Sequence, residues 1–175
     1  MKKKIKFRDT ASFGKRIEYS IIGEMLKEGL DVYTPMVDDM GIDAIVRKSD
    51  GTFIEVQIKA RSKDVKFGDS GLFIVNKHVD VRDNYFFIFY SQRMNTKWIM
   101  SSEEFVNNSL HLKKGKSKGK RQIWFSGRNT KKNKEHTKPQ FKEFVSKNFD
   151  KLKWKNHLQP SCTQRTCNAL FTELN

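Results

Sequence analysis

The sequence predicts an α/β fold, a central mixed β-sheet of about five strands flanked by helices. Apolar residues recur at four-residue spacing over residues 13–27, which indicates an amphipathic helix. Two alternating runs, residues 42–47 and 52–60, are joined by Ser49-Asp50-Gly51 and predict a β-hairpin. The aromatic run at residues 85–90 is typical of a buried central strand.

The remaining elements have shorter signals. Ser101 or Ser102, followed by two acids, is a suitable N-cap for a short helix. Pro139 precedes residues 141–149, where apolar spacing predicts a last helix. Extended apolar runs predict further strands at residues 32–34, 72–75, 97–100 and, as an edge strand, 123–125.

The chain is strongly basic, with 175 residues, a formal net charge of +15 and 37% hydrophobic residues. That apolar content is enough for a single globular domain, which we place at residues 1–155. Excess positive charge on a folded surface favours a polyanionic partner, most simply nucleic acid. The basic N-terminus lacks the apolar segment of a signal peptide, and no long apolar run indicates a membrane, so a cytoplasmic location is expected.

The composition changes near the C-terminus. From about residue 156 the chain is rich in Gln, Thr, Ser, Cys and Asn, so residues 156–175 are interpreted as a tail. This tail is either disordered or foreign to the domain. Its two cysteines, Cys162 and Cys167, are too few for a disulfide framework, which agrees with a reducing compartment.

A basic segment spans residues 113–134, with ten Lys or Arg residues and no Asp or Glu. Its interspersed glycines predict a loop, interrupted by the short strand placed there. Lys and Arg contact backbone phosphates, which positions a protein without reading sequence. The candidate DNA-binding residues are Lys113, Lys114, Lys116, Lys118, Lys120, Arg121, Arg128, Lys131 and Lys132.

The predicted hairpin brings an acid close to an amide and a lysine. Side chains alternate faces along a strand, so Glu55, Gln57 and Lys59 share the face opposite the apolar residues. A three-residue turn ending in a left-handed glycine fixes the register. Counting back from that turn sets Asp43 opposite Gln57, with side chains roughly 5 Å apart.

This cluster has the groups that phosphodiester hydrolysis requires. Its oxygen donors suit Mg²⁺, with Mn²⁺ as an alternative, and such an ion lowers the pKa of an attacking water. Lys59 would stabilise the charge that develops on the phosphate, or orient and deprotonate the water. The candidate metal ligands are Asp43, Gln57, Glu55 and the backbone carbonyl of Ile58.

Glu18 lies near the middle of the apolar stripe of the first helix. A carboxylate there is costly to bury unless it meets a cation or a hydrogen-bond donor. We therefore place Glu18 at the rim of the Asp43 site, as a further candidate catalytic residue. The alternative is an ordinary helix acid beside Lys15 or Arg47.

The order of these signals resembles the PD-(D/E)XK nuclease superfamily, in its restriction-endonuclease-like and Holliday-junction-resolvase-like branch. The match covers roughly residues 13–109. The resemblance implies a restriction-endonuclease-like core with Asp43 as principal metal ligand and Lys59 as catalytic lysine. It also implies that Glu18 is the helix acid and that Gln57 occupies the second acid position, where Asp or Glu is usual. Glu55 is the alternative second ligand.

The sequence thus predicts a metal-dependent endodeoxyribonuclease, a hydrolase of DNA phosphodiester bonds. A restriction-type enzyme is the first choice, and cutting both strands would call for a homodimer. A Holliday-junction resolvase or another structure-selective nuclease is the runner-up. Because Gln57 is neutral, a catalytically inactive nucleic-acid-binding module is the alternative from another class.

Overall fold

A computed structural model describes residues 10–37, 40–76, 78 and 80–153. The predicted tail, residues 156–175 with Cys162 and Cys167, lies outside the described residues. Within the described part of the chain, no helix is long and apolar enough to cross a membrane.

Within the described residues, two α-helices, eleven strands and two 3₁₀ turns follow one another. In order, they are α1 (Thr10–Lys27), β1 (Asp31–Tyr33), β2 (Ala44–Arg47), β3 (Phe53–Arg61), β4 (Leu72–Val75), β5 (Tyr85–Ser91), β6 (Thr96–Ser101), α2 (Ser102–Asn108), β7 (Leu110–His111), a 3₁₀ turn (Gly115–Ser117), β8 (Arg121–Trp124), β9 (Ser126–Asn129), β10 (Lys134–Thr137), a 3₁₀ turn (Pro139–Phe144) and β11 (Val145–Ser146).

The central sheet has six strands in the order β1-β2-β3-β5-β6-β11. β3 and β5 run parallel to each other, whereas the other neighbouring strands of this sheet pair antiparallel. This arrangement confirms the predicted mixed sheet. β4, β8 and β7 form a second, three-stranded sheet, and β9 and β10 form a two-stranded hairpin. The predicted α/β fold class is therefore confirmed.

The central sheet covers a different core on each face. On one face α1 packs on β3, and Ile54, Val56 and Ile58 of β3 are buried with Ile21 and Met25 of α1. The opposite face carries an aromatic core, in which β5 meets the second sheet. Its members include Phe73, Phe87, Phe89, Trp98, Phe105, Phe125, Phe141 and Phe144. The aromatic run predicted as a central strand is thus packed on both sides.

The N-terminal cap of α2 was predicted correctly. Ser101 is the N-cap, its side chain accepts a hydrogen bond from the Glu104 amide, and the Glu104 side chain accepts one from the Ser101 amide. This reciprocal capping box satisfies two backbone donors that a helix start leaves unpaired.

The helix predicted over residues 141–149 is wrong. The chain forms the 3₁₀ turn Pro139–Phe144 and then β11, which pairs with β6. Phe141 and Phe144 enter the aromatic core, whereas Phe149 enters the core under α1. A single straight helix presents one apolar stripe, so it cannot fill cores on two faces of a sheet.

The basic segment is also more regular than predicted. Residues 121–124 form the middle strand of the second sheet, between β4 and β7, and not an edge strand. β9 follows within the same segment, so residues 113–134 are not one loop. Ile123 and Phe125 are buried in the aromatic core, and this burial stabilises strand structure within the charged stretch.

His78 is a buried polar residue of the aromatic core. Its Nε2 lies 2.8 Å from Ser102 Oγ, and its ring stacks on Tyr85 with centroids 5.2 Å apart. Burial, followed by the positive charges of Arg82 and Arg121, lowers the pKa of His78 from 6.5 to about 4. The ring is therefore neutral in the folded protein at neutral pH.

We expect His78 to contribute to acid sensitivity. The unfolded chain protonates this ring near pH 6.5 while the folded protein resists protonation down to about pH 4, so stability falls as the pH drops through this window. His78→Gln removes the titrating group, and the melting temperature of the variant should change less steeply than that of wild type across the same window. Parallel curves from calorimetric melts would contradict this assignment.

Candidate active site

The hairpin turn sets the register between β2 and β3 as predicted. Gly51 has a φ of +83°, and the Lys48 amide donates to the Thr52 carbonyl at 2.8 Å. The ladder then pairs Ala44 with Val56. The ladder ends at this pair, so the placement of Asp43 opposite Gln57 stays a prediction.

Asp43 lies where β2 leaves β3. Its amide donates to the Val56 carbonyl at 2.9 Å, and its Oδ2 accepts the Ile58 amide at 2.7 Å. The carboxylate therefore takes the place that a main-chain carbonyl would fill in a longer ladder. Because the N–H and C=O of a strand residue point to the same neighbour, the Ile58 carbonyl faces this same gap.

α1 brings Glu18 to the same place. Glu18 and Asp43 line one small cavity of about 100 Å³, together with Lys15 and Met36 among others. The Glu18 side chain is 17% exposed, and its Oε2 lies 2.6 Å from Lys15 Nζ. Glu18 is therefore ion-paired with Lys15 and also lines the same cavity as Asp43.

Lys15 is a cation that the sequence did not assign to the site. The hydrogen bond to Glu18, and then the charges of Glu18 and Asp43, raise the pKa of Lys15 against the opposing effect of its partial burial. Lys15 is therefore a firmly charged counter-ion beside both carboxylates.

Gln57 and Lys59 lie on the opposite face of the sheet from α1. In the parallel ladder Gln57 pairs with Phe87 and Lys59 with Phe89, both in the aromatic core. Gln57 is 6% exposed, whereas Lys59 is half-buried. In the part of the chain that the structure describes, neither lines the cavity of Glu18 and Asp43. Glu18 and Asp43 thus share one cavity, whereas Gln57 and Lys59 lie on the other face of the sheet.

Glu55 is held elsewhere. Its carboxylate pairs with the guanidinium of Arg82, which also lies over the Tyr85 ring at 4.0 Å. Among the described residues, no group of three or more His, Cys, Asp or Glu side chains is placed to hold a metal ion. The structure therefore does not bring Glu55 to Asp43 and Glu18 as a further carboxylate.

The loop before Asp43 rests on a network that the sequence did not reveal. Tyr85 Oη donates to the Gly41 carbonyl at 2.6 Å, and Arg82 Nη1 donates to the Met40 carbonyl at 3.2 Å. Gly41 has a φ of +74°, and a Cβ there would lie 2.3 Å from Gln57 Nε2. Arg82 and Tyr85 meet this loop because β5 pairs with β3, a contact without a local sequence signal.

The predicted DNA-binding residues fall into two groups. The first, Lys113 to Lys120, lies between β7 and β8, and the second, Arg128, Lys131 and Lys132, lies on β9 and the turn after it. Arg121 differs from both groups, because its Nη1 donates to the Val106 carbonyl at 3.2 Å at the end of α2. Arg121 therefore supports α2.

Comparison with known proteins gives one informative likeness. No protein-family model matches the sequence, and no curated protein matches it. The structure is similar to that of the bacterial homing endonuclease I-Ssp6803I, with a TM-score of 0.52 and 18% sequence identity. The similarity covers 78% of this chain and 86% of that chain. At this identity the likeness concerns the fold, so the chain shares the fold of a nuclease.

Gly41→Ala should lower the free energy of unfolding by more than the strain of its left-handed backbone conformation alone explains. Gly51→Ala is the matched control, because Gly51 has a similar φ of +83° but open space around its Cβ position. We expect the control to cost about 1–2 kcal/mol and Gly41→Ala to cost about 1 kcal/mol more, since Gln57 must move.

Urea unfolding of both variants measures this difference. The double variant Gly41→Ala/Gln57→Ala should show a favourable coupling energy between the two sites, because the truncated side chain leaves room for the new Cβ. Equal losses in the two glycine variants would contradict the close contact between Gly41 and Gln57.

Proposed function

We propose that this chain is a metal-dependent DNA endonuclease of the PD-(D/E)XK type. The observation that carries the proposal is the position of Asp43, whose carboxylate is fixed at the edge of β3 by the Ile58 amide. Glu18 approaches this edge from α1, and Lys59 lies two residues after Gln57 on β3. Two acids that share a cavity beside β3, with a lysine on the same strand, would suit hydrolysis of a phosphodiester.

The donors at this edge fit a magnesium ion. Mg²⁺ is usually held by one or two carboxylates, with water and substrate phosphate completing its shell. Asp43 and Glu18 supply two carboxylates beside a cavity of about 100 Å³, room for roughly three waters at liquid volume. The Ile58 carbonyl is a third oxygen facing the gap. Mn²⁺ would suit the same donors.

Each residue then has a distinct task. Asp43 and Glu18 would hold the ion, which when bound polarises the phosphate and lowers the pKa of the attacking water. Lys59 would donate hydrogen bonds to a non-bridging phosphate oxygen and stabilise its growing negative charge. Buried Gln57 would position the Gly41 loop and supply a neutral oxygen in place of the usual acid.

DNA is the proposed substrate. A net charge of +15 favours a polyanion, and the fold is similar to that of a homing endonuclease. We keep a restriction-type enzyme as the first choice, acting in the cytoplasm as a homodimer that cuts both strands. The likeness to I-Ssp6803I favours a homing-type endonuclease as a second candidate. A structure-selective resolvase remains the alternative in substrate choice.

Asp43→Asn and Lys59→Met should each lower cleavage of plasmid DNA by at least about 100-fold while leaving DNA binding within about threefold. Asp43→Asn removes the anionic metal ligand, and Lys59→Met removes the cation beside the phosphate. A nicking assay with Mg²⁺ or Mn²⁺ measures cleavage, and fluorescence anisotropy in EDTA measures binding.

Matched controls are Asp64→Asn and Lys27→Met, which make the same chemical changes at exposed positions. Full cleavage by Asp43→Asn or Lys59→Met would overturn the site assignment. DNA binding by wild type without cleavage under either metal would instead favour the inactive binding module.

Lys15→Met should raise the affinity for Mn²⁺ by about two- to fivefold, because the Lys15–Glu18 ion pair must break before Glu18 can bind a metal. Titration calorimetry without DNA measures this change, with Lys27→Met on the same helix as control. Unchanged or weaker binding in Lys15→Met would show that Glu18 is not a metal ligand, and absence of Mn²⁺ binding in wild type would contradict a metal-dependent enzyme.

A further inference from the structure

Two cations lie against one tryptophan at the surface of the second sheet. Lys138 Nζ lies 4.9 Å from the ring centroid of Trp124, and Arg128 Cζ lies 5.9 Å from it. We call Trp124, Arg128 and Lys138 the Trp124 shelf. Lys138 was not among the residues that the sequence indicated for DNA binding.

The shelf is held in place from below. Trp124 Nε1 donates to the Gly68 carbonyl at 2.8 Å, and Ser126 Oγ donates to the same carbonyl at 2.9 Å. Arg128 packs on Gly68, since a Cβ there would lie 2.3 Å from its Nε. The tryptophan ring and the arginine therefore have little freedom, which lowers the entropy cost of binding a ligand.

Among the described residues, neither Arg128 nor Lys138 forms an ion pair with a carboxylate. Glu135, which lies between Arg128 and Lys138 in the sequence, is buried and accepts hydrogen bonds from the Gly68 amide and Arg93. Partial burial lowers the pKa of Lys138. Two cations gathered on one ring without a counter-ion favour an anionic ligand.

The shelf is connected to the catalytic strand. β3 continues from Lys59 to Arg61, roughly 7 Å further along on the same face. Arg61 Nε donates to the Asp69 carbonyl at 3.2 Å, and Asp69 is next to Gly68, which carries the shelf. Lys59 and the shelf thus lie on the same side of the central sheet, at the end where β3 leaves it.

We propose that Arg128 and Lys138, mounted on Trp124, form a binding site for a backbone phosphate of DNA beyond the scissile bond. This inference rests on the proposed nuclease function, because it assigns the position of the substrate relative to Lys59. The guanidinium offers paired N–H donors to phosphate oxygens, and the lysine adds a second positive charge. Because the ring already packs against two cations, Trp124 serves as their support and not as a base-stacking surface.

The test compares two double variants that remove the same charge. Arg128→Gln/Lys138→Gln removes the shelf cations, and Lys27→Gln/Lys142→Gln removes two exposed lysines that are not part of the shelf. Anisotropy of a labelled duplex, in EDTA and over a series of salt concentrations, gives the affinity and its salt slope. The shelf variant should bind at least about tenfold more weakly, with the log–log salt slope reduced by about 0.9, the contribution of one phosphate contact.

The outcomes separate this inference from the proposed function. The charge-retaining variant Arg128→Lys/Lys138→Arg should keep the salt slope of wild type, and the control pair should change affinity by less than about twofold. If the shelf and control variants lose DNA affinity and salt slope equally, the proposed phosphate site is overturned while the nuclease proposal stands. If wild type binds no duplex DNA at all, the proposed function fails. Far-UV circular dichroism and thermal melts confirm that each variant is folded.

Discussion

The hydrogen bond from the Ile58 amide to the Asp43 carboxylate is the contact on which the candidate site depends. A backbone N–H left without an acceptor at this partly buried edge would cost about 1–3 kcal/mol. β2 cannot supply the acceptor, because the chain turns away from β3 at Asp43. The side chain supplies it instead, so the geometry that completes the sheet also fixes the carboxylate at its edge.

Three residues hold the segment that leads into Asp43: Gln57, Arg82 and Tyr85. Gly41 adopts a left-handed conformation that brings its backbone against Gln57. Tyr85 and Arg82 hold the loop carbonyls, and Arg82 is itself held by Glu55. Glu55 thus acts on the site through Arg82 and the loop. Glu55 is two residues before Gln57 in the sequence, but its carboxylate pairs with Arg82.

The two layers on either face of the sheet have different roles in this arrangement. The layer with α1 contributes Glu18 and its counter-ion Lys15. The layer with the second sheet covers Gln57 and extends β3 towards the loop that carries Gly68 and the Trp124 shelf. A substrate lying along this end of β3 would meet the acids at one point and the shelf cations at another. On this proposal, Arg128 of the basic segment would act as a positioned side chain on β9.

Local patterns in the sequence determined the helix with Glu18 and the register of the β2–β3 hairpin up to the pair of Ala44 and Val56. These follow from residue spacing and from one glycine turn, so they need no distant contact. The capping box of α2 is equally local. Only the tertiary structure decided that Glu55 pairs with Arg82, that Lys15 faces both Glu18 and Asp43, and that residues 141–149 divide between two cores. Each of these depends on which strands become neighbours in the sheet, and that choice is made by burial across the whole molecule and not by the residues nearby in sequence.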